Sequence, residues 1–141
     1  MKVLAIRDTC EGAPKEVVEQ GYSETNKGVF RFITRGKEYE VHAIVVWTSG
    51  IIRFCIISDP FPDRILGERV TIKWLPVWFF SIVDPSMPDD WECHLFEHPP
   101  IIIGPAFISE SPDAYRRMAE LDRRQTNRFW ERIKRLDELN S

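Results

Sequence analysis

The sequence predicts an α+β fold: a small bent antiparallel sheet or SH3-like partial barrel, followed by a C-terminal helical segment. Three observations carry this expectation. Short β-branched and aromatic runs between residues 29 and 103 are separated by Gly, Pro, Asp and Ser turns, the spacing of a small antiparallel sheet. Trp74 to Trp91 packs three tryptophans, two phenylalanines and three prolines into one short segment, which is core or interface material that proline keeps out of a continuous helix. Finally, the composition changes at Ser111, and a helical rhythm takes over.

Lys2 to Arg7 predicts a first strand. Thr9 to Lys27 is polar and loop-like, with one helical turn expected over Pro14 to Glu19. Val29 to Thr34 predicts a second strand and Arg35 to Glu38 a turn. Tyr39 to Trp47 predicts a strand with Tyr39, Val41, Ala43, Val45 and Trp47 on one face and Glu40 and His42 on the other; the pattern turns wholly apolar from Ile44. Thr48-Ser49-Gly50 is a tight hairpin, and Ile51 to Ser58 is its return strand. Asp59 to Asp63 breaks the sheet. Short strands follow at Val70 to Lys73, Trp91 to Phe96 and Ile101 to Ile103, with Phe79 to Val83 a strand or one helical turn.

Ser111-Pro112-Asp113 supplies an N-cap, a proline at the first helical position and an acidic first turn. Tyr115, Met118, Leu121, Gln125, Phe129, Ile133, Leu136 and Leu139 then recur at three- or four-residue steps, one apolar stripe interrupted at Gln125. A single helix here spans about 42 Å at ~1.5 Å per residue, longer than the domain is wide. The expectation is a break between Leu121 and Asn127, or last turns that project onto a partner.

The 141 residues suit one domain, 1–141, with a strand-rich body over 1–110 and one or more helices over 111–141. An apolar fraction of 43% and a charged fraction of 29% are those of a folded soluble protein. Residues 111–141 carry eight Lys/Arg against six Asp/Glu, and the rest eleven against sixteen, giving the net charge of −3. A mildly acidic body argues against a general nucleic-acid binder. Cys10, Cys55 and Cys93 are odd in number and far apart, which fits a reducing compartment. No stretch approaches the ~20 apolar residues of a membrane span. Cytoplasmic is the expected location.

Chemistry-bearing residues are sparse. Cys93, His94, Glu97 and His98 have metal-ligand side chains, but a tetrahedral site needs ligands converging from two elements, and neighbours on one strand diverge. His42 beside Glu40 offers a general base with no nucleophile nearby in sequence. The expectation is therefore no enzyme, no catalytic residue, no metal and no cofactor; the enzyme alternative uses His42 or the Cys93, His94, His98 cluster. Arg116, Arg117, Arg123, Arg124, Arg128, Arg132 and Arg135 offer a phosphate ladder, the basis of a nucleic-acid-binding alternative. They are interleaved with acids, and Glu120–Arg124 and Glu131–Arg135 have the spacing of i,i+4 pairs. A solvated, ion-paired face explains them better.

Asp84, Asp89, Asp90 and Glu92, with Asp59 and Asp63 nearby, form an acidic rim around Trp91. Asp beside Pro and Ser is ordinary turn chemistry. It also makes a negative surface with an aromatic at its edge, suited to a basic protein.

Gly36-Lys37-Glu38-Tyr39-Glu40-Val41-His42-Ala43-Ile44, then Trp74-Leu75-Pro76 through Phe80-Ser81-Ile82-Val83-Asp84 to Trp91, resemble small bacterial proteins encoded beside polymorphic or contact-dependent toxins. Those proteins share a G-K-x-Y-x-V stretch before a hairpin, a Pro-aromatic-F-x-I-V-D segment, and a Gly-led stretch, here Gly104 to Ile108, before a C-terminal helix. The resemblance covers residues 28 to 115; Ser81 stands where an acid is common, and the arginine-rich helix departs from the pattern. It implies an immunity protein that neutralises a cognate toxin, such as a nuclease, by occlusion. The implied partner is a basic toxin in a heteromeric complex, with no membrane and no direct nucleic-acid contact, and a homodimer is compatible. The partner-binding residues expected are Asp84, Asp89, Asp90, Trp91, Glu92, Asp59 and Asp63.

Overall fold

β-branched and aromatic runs become strands here because each has one or two apolar surfaces to bury. In the computed structural model, residues 1–20, 32–63, 65, 67–96, 98 and 100–140 are described, and for 61–63, 68 and 69 the backbone alone. Lys2–Ala5 (β1) is the central strand of a three-stranded antiparallel sheet, between Glu38–Glu40 (β2) and Phe80–Asp84 (β8). Ala43–Val46 (β3), Ile52–Ile57 (β4), Ile72–Pro76 (β7), Trp91–His94 (β9) and Ile101–Pro105 (β10) form a five-stranded antiparallel sheet in the order β7-β4-β3-β10-β9. Phe61–Asp63 (β5) and Gly67–Arg69 (β6) pair as a small hairpin. The expected helical turn is Lys15–Val18 (α1). The two main sheets are packed together and are not closed into a barrel.

The chain changes between the two main sheets three times. Val41 donates its N–H to the Met1 carbonyl (2.9 Å), continuing the small sheet, while His42 donates to the Cys55 carbonyl (2.8 Å), opening the large one. The expected single strand from Tyr39 to Trp47 is therefore two strands with a corner between them. The second crossing runs from β7 through a 3₁₀ turn, Val77–Phe79, into β8. Six residues after β8 ends, the chain rejoins the large sheet at β9, on the edge opposite β7.

The corner also re-sorts the faces. Tyr39 and Val41 lie between the sheets with Val3, Ala5, Ile44, Phe54, Ile56, Leu75, Phe79 and Phe80. Ala43 and Val45 face the helices with Cys55, Ile72, Ile102, Ile108, Tyr115, Met118 and Phe129. The large sheet is thus buried on both faces, which explains why the alternation gives way to a wholly apolar run at Ile44. Residues 29–31 of the expected strand Val29–Thr34 lie outside the described residues. Phe32 to Thr34 form no strand: the Thr34 N–H bonds the Tyr39 hydroxyl (2.7 Å), and Ile33 is buried in the inter-sheet core.

Gly104 sits on β10 opposite β3, where a Cβ would lie 2.8 Å from the Cβ of Ala43. Backbone and side chain meet there with no room to spare. Gly104→Ala should cost about 1–3 kcal/mol as overpacking, read as a lower urea midpoint at unchanged m-value. A midpoint equal to that of the wild type would mean the β3–β10 contact is looser than described.

Ala106–Ser109 (α2), Pro112–Ala119 (α3) and Arg123–Asn140 (α4) cover the outer face of the large sheet. Ser111 caps α3, its hydroxyl accepting the Ala114 N–H at 3.0 Å. The expected break falls at Leu121, which adopts φ 58°. Asp122 starts α4 by accepting the N–H groups of Arg124 (3.0 Å) and Gln125 (3.3 Å). Gln125 is polar within the apolar stripe because its amide donates to the carbonyls of Phe107 (2.7 Å) and Ala114 (3.0 Å), tying the three helices together. The last three turns of α4 pass over the corner at His42.

Candidate functional site

The segment from Asp84 to Glu92 links the edge strands of both sheets, so both of its ends are rigid. Asp84 is fully exposed and accepts the Ser86 hydroxyl (2.6 Å) and N–H (3.0 Å), a turn that holds its carboxyl below the usual range. Asp89 is exposed and makes no ion pair or hydrogen bond among the described residues. Asp90 is different: Arg132 on α4, whose side chain is only 6% exposed, grips it with two parallel bonds of 2.9 and 2.7 Å. The Arg132 bond depresses the Asp90 pKa and outweighs burial, which opposes it. Asp90 thus serves the fold by clamping α4 to the start of β9. Trp91 packs against the inter-sheet core with its Nε1 buried and unbonded among the described residues. Glu92 pairs with His94 two residues on (2.9 Å).

Asp59 lies apart from this segment. Its carboxylate accepts from Lys37 (2.5 Å), Tyr39 (2.9 Å) and Thr34. Burial alone would raise its pKa, but these three hydrogen bonds hold it down, and burial pushes the Tyr39 hydroxyl up to about 12. The network staples the β2 turn to the end of β4. Asp63 ends β5, and its side chain lies outside the described residues.

Beneath the last turns of α4 are two adjoining cavities. One, of about 450 Å³, is lined by Lys2, Glu40, His42, Ile57, Pro88, Ile133, Leu136, Asp137 and Asn140. The other, of about 520 Å³, shares Pro88 and Leu136 and adds Asp89, Asp90, Arg132, Arg135 and Leu139. His42 is 5% exposed, and its ring stands edge-on to Phe129 at 5.1 Å. Burial lowers its pKa to about 4, aided by the Arg132 guanidinium and the Met1 amino group, so the ring is a neutral imidazole at pH 7.

The other residues singled out in the sequence are scattered. Cys93 is exposed on β9, His94 is engaged with Glu92, His98 is exposed, and Glu97 lies outside the described residues. Among the described residues no three such side chains gather as a metal site. Cys55, next to the corner, is fully buried, which pushes its thiol pKa up. Of the helix arginines, Arg116 pairs with Asp113 (2.6 Å) and Glu120 (3.2 Å), and Arg117 with Asp113 (2.9 Å). The expected Glu120–Arg124 pair is not formed, because the helix breaks between them and Glu120 turns back to Arg116. Glu131–Arg135 does not close to ion-pair distance either.

Arg132 is the residue whose role the sequence concealed. Arg132 is one of seven similar arginines, and only the fold brings Asp90 to it across 42 residues. Compared with models of protein families, with characterised proteins and with solved structures, the chain matches none.

Proposed function

We propose that this chain is a cytoplasmic immunity protein that binds a basic toxin domain, a nuclease in the simplest case, and neutralises it by occlusion. The observation that carries the reading is the acidic segment 84–92, presented ready-made on a rigid frame. Asp84 and Asp89 point no charge into the fold, while Asp90 and Trp91 anchor the segment from below. Such a surface loses little order on binding. Its carboxylates steer a basic partner and suppress wrong ones. Inhibition of this kind needs about 800 Å² per partner and no chemistry. One further feature fits a reducing cytoplasm: the three cysteines are unpaired.

The test is co-expression with the toxin encoded beside this gene, followed by binding kinetics on the purified pair. Asp89→Lys should slow association about three- to tenfold at low salt and flatten its salt dependence, with the melting temperature unchanged. Asp89 is the right probe because Asp90 is committed to Arg132. A folded Asp89→Lys protein that associates at the wild-type rate removes this segment as the interface.

A further inference from the structure

The cavity at the sheet corner has a composition that the acidic segment does not explain. Its walls are apolar, from Ile57 on β4, Pro88 before β9, and Ile133 and Leu136 on α4. Of the polar residues that also line it, Lys2, Glu40, Asp137 and Asn140 are exposed, and His42 is the one that is buried, 95% so, with ring nitrogens that make no hydrogen bond among the described residues. A buried imidazole ordinarily has a partner, and the nitrogens of this ring, unlike the Nε1 atoms of Trp74 and Trp91, are not fully enclosed, so a group entering the cavity can reach them. The ring lines the cavity while standing edge-on to Phe129.

Charge narrows the class of ligand. The groups facing the corner come from every element packed on it, and they balance. Glu40 lies 3.7 Å from the Met1 amino group, Arg132 is gripped by Asp90, and Lys2 shares the rim with Asp137. Neither a cation nor an anion gains from entering. An apolar body with a single polar tip gains twice, from the walls and from His42. That is the profile of a tyrosine, the kind of side chain that anchors protein interfaces in desolvated pockets.

We infer that the His42 cavity is a binding site for an uncharged aromatic ring carrying one hydrogen-bond donor, the tyrosine-type anchor of a protein partner. The ring lies between Leu136, Pro88 and Ile57, and its hydroxyl donates to the free nitrogen of His42. The cavity meets the acidic segment at Pro88, so a partner engaging Asp89 has this seat within reach. That the ring belongs to a protein rests on the proposed function, whereas the pocket's chemistry does not.

The probe is p-cresol, titrated into the full chain while the His42 ring signals are followed by NMR. The expected result is a saturable shift of His42 at millimolar p-cresol, the range for a ligand of this size. Toluene should bind at least about fivefold more weakly for want of the donor, since a missing hydrogen bond to a buried group costs roughly that much or more. Benzoate and benzylamine should leave His42 unmoved. Leu136→Trp, at a half-buried position on the rim, should fill the cavity and abolish the shift while the melting temperature holds. Because His42 itself is kept, the probe remains readable in this variant. No saturable shift with p-cresol, or an equal response to either charged ring, overturns the assignment. If p-cresol binds but the toxin complex leaves His42 untouched, the pocket stands and the partner reading of it falls. If the toxin binds through Asp89 while p-cresol does not bind, the pocket alone is wrong.

Discussion

Replacing Phe129 by alanine lowers the melting temperature by about 10–20 °C. The ring is 1% exposed, in the core between α4 and the large sheet, edge-on to His42 at 5.1 Å and to Trp130 at 5.2 Å. Removing a buried phenylalanine costs about 3–5 kcal/mol, from lost transfer energy and from the cavity it leaves. In a chain of this length each kcal/mol moves the midpoint by roughly 3–4 °C. Leu139→Ala is the control. It lies on the same helix but is 81% exposed, so it should stay within about 0.5 kcal/mol of the wild type. Thermal unfolding followed by circular dichroism separates the two. Were Phe129→Ala to melt with the wild type, α4 would not be packed on the sheet in solution.

Acidification from pH 6.5 to pH 4 costs the fold about 3 kcal/mol through His42 alone. Its folded pKa is about 4, set first by burial and then by Arg132 and the Met1 amino group. Its unfolded value is about 6.5. Between the two the unfolded chain binds a proton that the native protein refuses, so stability falls as the pH drops through this window. Above pH 6.5 the imidazole is neutral in both states and nothing is lost. Asp59 and Asp90 act in a separate window. Their folded pKa values are depressed, so their contribution persists down to about pH 4 and is lost below it. Urea unfolding at half-unit pH steps resolves the windows. His42→Gln should flatten the upper one and leave the lower one. A wild-type profile already flat from pH 6.5 to pH 4 would show that His42 is protonated inside the fold.

The local features of the fold were legible from the sequence because their causes are local. The Thr48-Ser49-Gly50 hairpin and the Ser111 cap rest on short-range chemistry, a positive-φ glycine and a hydroxyl acceptor, and the break near Leu121 followed from helix length alone. The division into two sheets was not legible. Val41 and His42 continue the β pattern of their neighbours, and no Gly or Pro marks the corner. The change of partner, from Met1 to Cys55, is set by strands distant in sequence. The acidic segment was visible as composition, but the separate duties of its members were not. Asp89 and Asp90 are identical neighbours, and only Arg132 tells them apart. His42 looked like a solvated residue on a polar face because the corner that buries it was invisible.

The central place of β1 has a consequence for how the chain acquires its structure. β1 precedes the other described strands in the chain, yet its partners are β2, some 35 residues later, and β8, some 80 residues later. Until residue 84 is available, one edge of β1 stays open, with Val3 and Ala5 lacking the far side of their core. Closing loops of that length before any contact repays them is slow. The β3–β4 hairpin and the α3–α4 pair, by contrast, join near neighbours and form early. The small sheet is therefore expected to close late, when β8 reaches β1. Its first strand is among the last to lock, and an unpaired edge is carried through most of the folding reaction.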